Sequence, residues 1–204
     1  MKKRVIALAL GCTVAFGCAV GGTLAWLTDS TDAVTNTFTA SDIEITLDET
    51  APDGKTAKMV PGDTFAKDPK VTVEKGSEAC WLFVSVTESD NLDDFISYEV
   101  ADDWKKLDNY ENIYYREVTA DYINGDSNNG FYILKGNSTY LNGYVTVKDS
   151  VKKSDMEGIK SSGQPTLTFN ACAVQSAHLE TLDKAWEQAD ADFKELAVAT
   201  TSTN

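Results

Sequence analysis

The 204-residue sequence is poor in the side chains that bind metals or act as nucleophiles. It has one histidine, His178, and four cysteines, of which Cys12 and Cys18 fall in an N-terminal apolar run. Only Cys80 and Cys172 remain for the rest of the chain. A zinc site draws three or four ligands, mostly His and Cys, and a single imidazole cannot furnish the paired histidines of HExxH. Metal-dependent hydrolysis is therefore not expected. Bases are also scarce: 18 Lys and Arg stand against 32 Asp and Glu, a net charge of −14. A field of that sign repels phosphate, so nucleic acid and anionic membrane surfaces are excluded as partners. With four prolines, 42% hydrophobic residues and 10% aromatic ones, the chain has the means to build a core and is no acidic disordered tail.

The N-terminus reads as an address. Met1-Lys2-Lys3-Arg4 is cationic, Val5 to Val20 is apolar for sixteen residues, and Gly21-Gly22-Thr23-Leu24-Ala25 ends the run. This order marks residues 1–25 as a cleavable secretory leader, with Thr23 and Ala25 at the −3 and −1 places of a cut before Trp26. An uncleaved anchor is the alternative, although the run is short of the about 20 residues a membrane span needs. The residues before Cys12 and Cys18 fit a lipid-attachment box poorly. No second apolar span follows and no wall-sorting signal is evident. Loss of the three leader bases takes the net charge of residues 26–204 to −17.

Beyond Trp26 the sequence reads as strands. Ile43, Ile45 and Leu47 alternate with polar residues, and Ala51-Pro52-Asp53-Gly54 and Val60-Pro61-Gly62-Asp63 are turn chemistry. Further strands are expected at Val71–Val73, Ile96–Val100, Ile113–Val118, Phe131–Lys135, Tyr144–Lys148 and Thr166–Val174. The segment Cys80-Trp-Leu-Phe-Val-Ser-Val-Thr87 is apolar on both faces at its start, which suits a central strand between two packed layers. Short strands with regular turn signals point to an antiparallel β-sandwich spanning residues 26–204. At the C-terminus Leu179, Leu182, Trp186, Ala189, Phe193 and Leu196 step by three and four. That spacing predicts one amphipathic helix over about residues 177–197, capped at Ser176, with its stripe on the sheets or in a coiled coil.

Two sets of residues are candidates for special chemistry. The stretch Glu88 to Asp126 holds twelve acids against three bases, and Asp90, Asp93, Asp94, Asp102, Asp103 and Asp126 are oxygen donors for calcium. The run Asp126-x-Asn128-x-Gly130 lacks the spacing and bidentate Glu of an EF-hand, so a solvated acidic surface is the alternative. Cys80 and Cys172, an even pair in an exported domain, are candidates for a disulfide; two buried free thiols are the alternative. No carboxylate pair stands out for glycoside cleavage.

Several segments taken together resemble the TasA/camelysin family. They are Gly21-Gly-Thr-Leu-Ala-Trp-Leu-Thr-Asp29, then Val34-Thr-Asn-Thr-Phe38 through Leu47, then Val60-Pro-Gly-Asp63 with Lys67-Asp-Pro-Lys-Val-Thr-Val73, and finally Ala171-Cys-Ala-Val-Gln175 with Ala185-Trp186. The resemblance spans nearly all of residues 26–204. It implies a jelly-roll-like β-sandwich, export through a SipW-type signal peptidase of Gram-positive bacteria, and a structural role in biofilm-matrix fibres or a cell-surface layer. The metalloprotease label carried by some members finds no zinc motif here, and no enzyme activity is expected.

A sandwich exposes sheet edges, and an open edge accepts an extended segment from another chain. Cleavage before Trp26 frees a segment that begins with Trp26 and Leu27 and includes Val34 and Phe38. Its expected role is donation to the sheet of the next subunit, or first strand of its own sandwich. The competing expectation is a secreted monomeric module that binds calcium or surface polysaccharide through acidic loops and exposed Trp104, Tyr110, Tyr114 and Tyr115.

Overall fold

A computed structural model describes residues 42–51, 59–179 and 181–200. The chain is mainly β, and all strand pairs among the described residues are antiparallel. A four-stranded sheet, in order, joins β10 (Leu167–Gln175), β4 (Cys80–Glu88), β7 (Ile113–Val118) and β6 (Lys105–Lys106). A second sheet joins β1 (Ile45–Asp48), β3 (Lys70–Val73) and β8 (Phe131–Tyr132). The third joins β2 (Thr64–Ala66), β9 (Tyr144–Val147) and β5 (Ile96–Ser97). Short helices fill the connections: α1 (Leu92–Phe95), α2 (Ala120–Asn124), α3 (Lys153–Ser162), α4 (Leu182–Gln188) and α5 (Ala191–Lys194). None of the described helices is long and apolar enough to cross a membrane.

The doubly apolar sequence of β4 has a direct structural counterpart. Its even residues Cys80, Leu82, Val84 and Val86 enter a core shared with Val71, Val73, Phe131 and Ile133 around the second sheet. Its odd residue Phe83 enters a different core on the other face, with Ile113, Val174, Ala185 and Phe193. A strand buried on both sides belongs inside its sheet, and β4 lies between β10 and β7. A third core under β2-β9-β5 gathers Phe95, Ile96, Leu134, Val145 and Val147, with Met156 and Ile159 of α3 against it.

The C-terminal apolar stripe does not form one helix. Thr181 caps α4 by accepting from Lys184 N at 3.3 Å, the backbone is extended at Ala189, and Asp190 caps α5 by accepting from Phe193 N at 3.1 Å. A second cap inside the stripe breaks the helix because the Asp side chain competes for a backbone N–H. Upstream, His178 has a positive φ of 64°, which excludes a helix running through it from Ser176. The stripe still covers the outer face of β4-β7-β10: the Trp186 ring packs tilted against Phe83 at 5.3 Å and against Tyr110 at 5.1 Å. The ten-residue α3 is also absent from the sequence expectation, since only Met156 and Ile159 of its polar run face a core.

Trp104, expected at the surface, is 5% exposed; its Nε1 donates to Tyr132 O at 2.9 Å, and its ring packs edge-on against Phe131. The aromatic belongs to the core, not to a binding face.

Replacing Phe83, fully buried and in contact with Trp186, by Ala is expected to destabilise the protein by about 3–5 kcal/mol. The measurement is a denaturant midpoint at constant slope, and a loss below about 1 kcal/mol would contradict the two-sided burial of β4.

Candidate functional site

The sheet margins differ sharply in how their sequences treat water. The four-stranded sheet ends on one side at β6, two exposed lysines, a short charged edge of the kind that discourages pairing. On the other side it ends at β10, nine residues reading Leu-Thr-Phe-Asn-Ala-Cys-Ala-Val-Gln, with no charge and no proline. Among the described residues no strand pairs with the outer side of β10. Ser89 N donates to Thr166 O at 3.0 Å and Ser176 N to Ala79 O at 2.9 Å, so the even residues of β10 bond to β4. Alternation then turns the backbone groups of Leu167, Phe169, Ala171 and Ala173 away from β4, while their side chains enter the main core.

Beside this edge runs β1, itself the margin of the second sheet, and Ile43 and Ile45 share the core with Phe169 and Ala171. The two sheet margins thus form a seam. Ile43, at the start of that seam, lies five residues after Phe38. Thr23 and Ala25, expected to flank the leader cut, and Trp26, Leu27, Val34 and Phe38, expected to form the donor segment, lie outside the described residues.

The chain leaving β1 is held by a buried carboxylate. Asp68, 7% exposed, accepts from Thr50 N at 3.0 Å, from Ala51 N at 2.7 Å and from the Thr50 hydroxyl. Next to it, Lys67 Nζ donates to both carboxylate oxygens of Glu49 at 2.9 and 3.2 Å. Burial, the largest single influence, pushes the Asp68 carboxyl upward. The hydrogen bonds from Thr50 and Ala51 together outweigh it and hold the group below the ordinary carboxylate value. Asp68 is a positioning residue for β1 that pattern reading missed. Its only sequence signal is Lys67-Asp68-Pro69, an acid between two residues that end up deep in the fold.

The disulfide expectation is corrected. Both cysteines are free thiols. Cys172 stands opposite Phe83 and Cys80 opposite Gln175, so the pair is three residues out of register, roughly 10 Å along the strand. They also face opposite cores, Cys80 the main one and Cys172 that of α4 and α5. A bridge needs Cα atoms within about 7 Å and converging side chains; neither condition is met. Burial raises the Cys80 thiol to about 11 and raises Cys172 as well.

The acidic candidates for calcium do not converge. Among the described residues no three His, Cys, Asp or Glu side chains gather at one point. Asp93 pairs with Lys148 at 2.6 Å, Asp102 with Lys135 at 3.0 Å and Asp103 with Arg116 at 2.6 Å. Asp90 and Asp94 are exposed around α1, and Asp126 is exposed after α2. In the Asp126-x-Asn128-x-Gly130 run, Asn128 Nδ2 donates to Val73 O and Ile123 O, and Gly130 takes a φ of 73°. A Cβ at Gly130 would clash with Thr72 Oγ1, so the loop is shaped by packing on β3.

Asp68→Ala is expected to destabilise the protein near neutral pH and progressively less in acid. A depressed folded-state value contributes stability above the unfolded value of about 3.9 and loses it as pH falls through the folded value. Urea unfolding of both proteins at pH 7 and about pH 2 tests this; a gap that is constant or grows in acid is the contrary result. For a chain beginning at Trp26, thiol titration without reductant is expected to find two thiols on unfolding and little reaction when folded at neutral pH. A count of zero on unfolding would restore the bridge. No protein-family model, curated protein or solved structure matches this chain.

Proposed function

We propose that this chain is an exported structural protein of the extracellular matrix or cell surface, of TasA/camelysin type, that assembles into fibres by strand donation. On this reading a SipW-type signal peptidase cuts before Trp26, and Trp26 to Phe38 of one subunit pairs with the outer side of β10 in the next. The sheets meeting in the main core are then the two layers of a jelly-roll-like β-sandwich. No catalytic residue and no cofactor is assigned, and the partners are further copies of the chain and other matrix components.

The β10 edge, which no described strand pairs, is the observation that carries this proposal. It is long, uncharged and free of proline, and no described strand pairs with its outer side. The donor is chemically suited to it. In Val34-Thr-Asn-Thr-Phe38 the apolar ends fall on one face of an extended segment, the side that would meet Phe169 and Ala171. Pairing also removes Trp26 and Leu27 from water. Head-to-tail donation joins two different surfaces, so it yields a filament unless its rotation closes a ring. The net charge of −17 on residues 26–204 opposes association, so salt and acid favour it.

Protein beginning at Trp26 is expected to form filaments by negative-stain microscopy, more readily at high salt or low pH. Protein lacking residues 26–38 is expected to form none. Ala171→Pro, which removes an N–H that β4 does not use, is expected to stay folded but to stop filament growth. Equal filaments from all three proteins would refute strand donation. A monomer under every condition, its β10 edge protected from hydrogen exchange, would mean that the segment closes its own sheet.

A further inference from the structure

Away from the β10 edge, a cleft of about 570 Å³ opens at the end of the four-stranded sheet. Its walls come from Val86 to Glu88 on β4, Tyr98 after β5, Lys106 on β6, Tyr114 on β7, and the C-terminal segment at Val198 and Thr200. That segment is stitched in place. Asn112 Nδ2 donates to Leu196 O and Asn112 Oδ1 accepts from Val198 N, both at 2.8 Å. Glu111 N donates to Val198 O at 2.8 Å, and Thr200 N to Asn109 O at 2.9 Å. The Tyr98 hydroxyl donates to Glu88 and fixes both side chains. Burial and the charge of Glu88 raise Tyr98 and Tyr114 above the ordinary phenol value, so both are neutral rings with hydroxyl donors at physiological pH.

What the cleft leaves unpaired defines its ligand. Among the described residues the Tyr114 hydroxyl, Lys106 Nζ and the Glu111 carboxylate make no hydrogen bond or ion pair, and the buried Thr87 hydroxyl has no partner. Donors and acceptors of both signs therefore stand around two half-buried phenol rings. An anion would face Glu88 and Glu111 in a protein of net charge −14. A metal ion would face Lys106 and only two carboxylates. A purely apolar ligand would bury these polar groups without partners, which costs about 1–3 kcal/mol each. A sugar meets every requirement: each hydroxyl donates to a carboxylate while accepting from Lys or Tyr, and its C–H faces cover aromatic rings. We propose that this cleft binds a segment of an uncharged oligosaccharide. The Glu111 carboxylate and the Lys106 ammonium bind its hydroxyls, and the Tyr98 and Tyr114 rings bind its apolar faces. This assignment is independent of strand donation.

The test is an NMR titration of two proteins, one beginning at Trp26 and one beginning at Thr39, with N-acetylchitotetraose and cellotetraose as probes and tetragalacturonate as an anionic control. The expected result is a saturable shift with at least one neutral probe, confined to amides near residues 86–88, 98, 106, 111–114 and 198–200, in both proteins. Tyr114→Ala and Glu111→Gln are each expected to weaken it about tenfold or more, while Tyr114→Phe, which keeps the ring, weakens it less. Unchanged spectra elsewhere certify the fold of each variant. The proposal is overturned if neither neutral probe gives a saturable shift, if the shifts map elsewhere, or if Tyr114→Ala binds as well as the parent. It is equally overturned if only the anionic control binds, or if binding appears only after removal of residues 201–204, which would make the chain's own end the occupant.

Discussion

Burial of β4 on both faces is the constraint that the rest of the structure obeys. Leu82, Val84 and Val86 point into one core and Phe83 into another, and all four are essentially without solvent contact. Such a strand is stable only with a paired neighbour on each side and a packed layer on each face. β10 and β7 supply the neighbours; the second sheet supplies one layer and α4 with α5 the other. Register is fixed by the same requirement, because a slip of one residue would exchange Phe83 for a neighbour facing the wrong core. Once β4 and its partners are in register, the facing of Cys172, Arg116 and Tyr114 is no longer free to vary.

The two margins of that central sheet are treated in opposite ways. β6 is two lysines long and needs no further protection, whereas β10 carries nine uncharged residues and relies on whatever pairs with it. Isolated edges of this length are hazards in soluble proteins, so an edge that no described strand pairs is consistent with a partner. In the proposed assembly that partner comes from the chain's own processed N-terminus, and the strong negative charge acts as the brake. The Asp68 clamp on Thr50 and Ala51 belongs to the same region, since it anchors the chain that leaves the β1 side of the seam.

Much of the strand inventory was legible because its signal is local. The segments around β3, β4, β7, β9 and β10 alternate or run apolar in ways a helix cannot satisfy, and each became a strand. The break between α4 and α5 was also written locally, in Asp190, but the three-four spacing of Trp186, Ala189 and Phe193 masked it. β2 and β6 left no pattern to read, being three and two residues long and defined by their neighbours. Trp104 was misplaced at the surface because the acids flanking it, Asp102 and Asp103, are exposed while its ring turns inward toward Phe131.

The candidate site divides along the same line. The uncharged composition of β10 and the apolar pair Trp26-Leu27 are properties of sequence, as are the net charge and the scarcity of zinc ligands. Whether β10 ends a sheet, whether Cys80 meets Cys172, and whether Glu88, Tyr98 and Tyr114 line one cleft are matters of position in space. Residue type and spacing act over a few residues through dihedral preference and side-chain period. Strand order and facing are chosen by the free energy of burying all the apolar surfaces together, and no local segment encodes that sum.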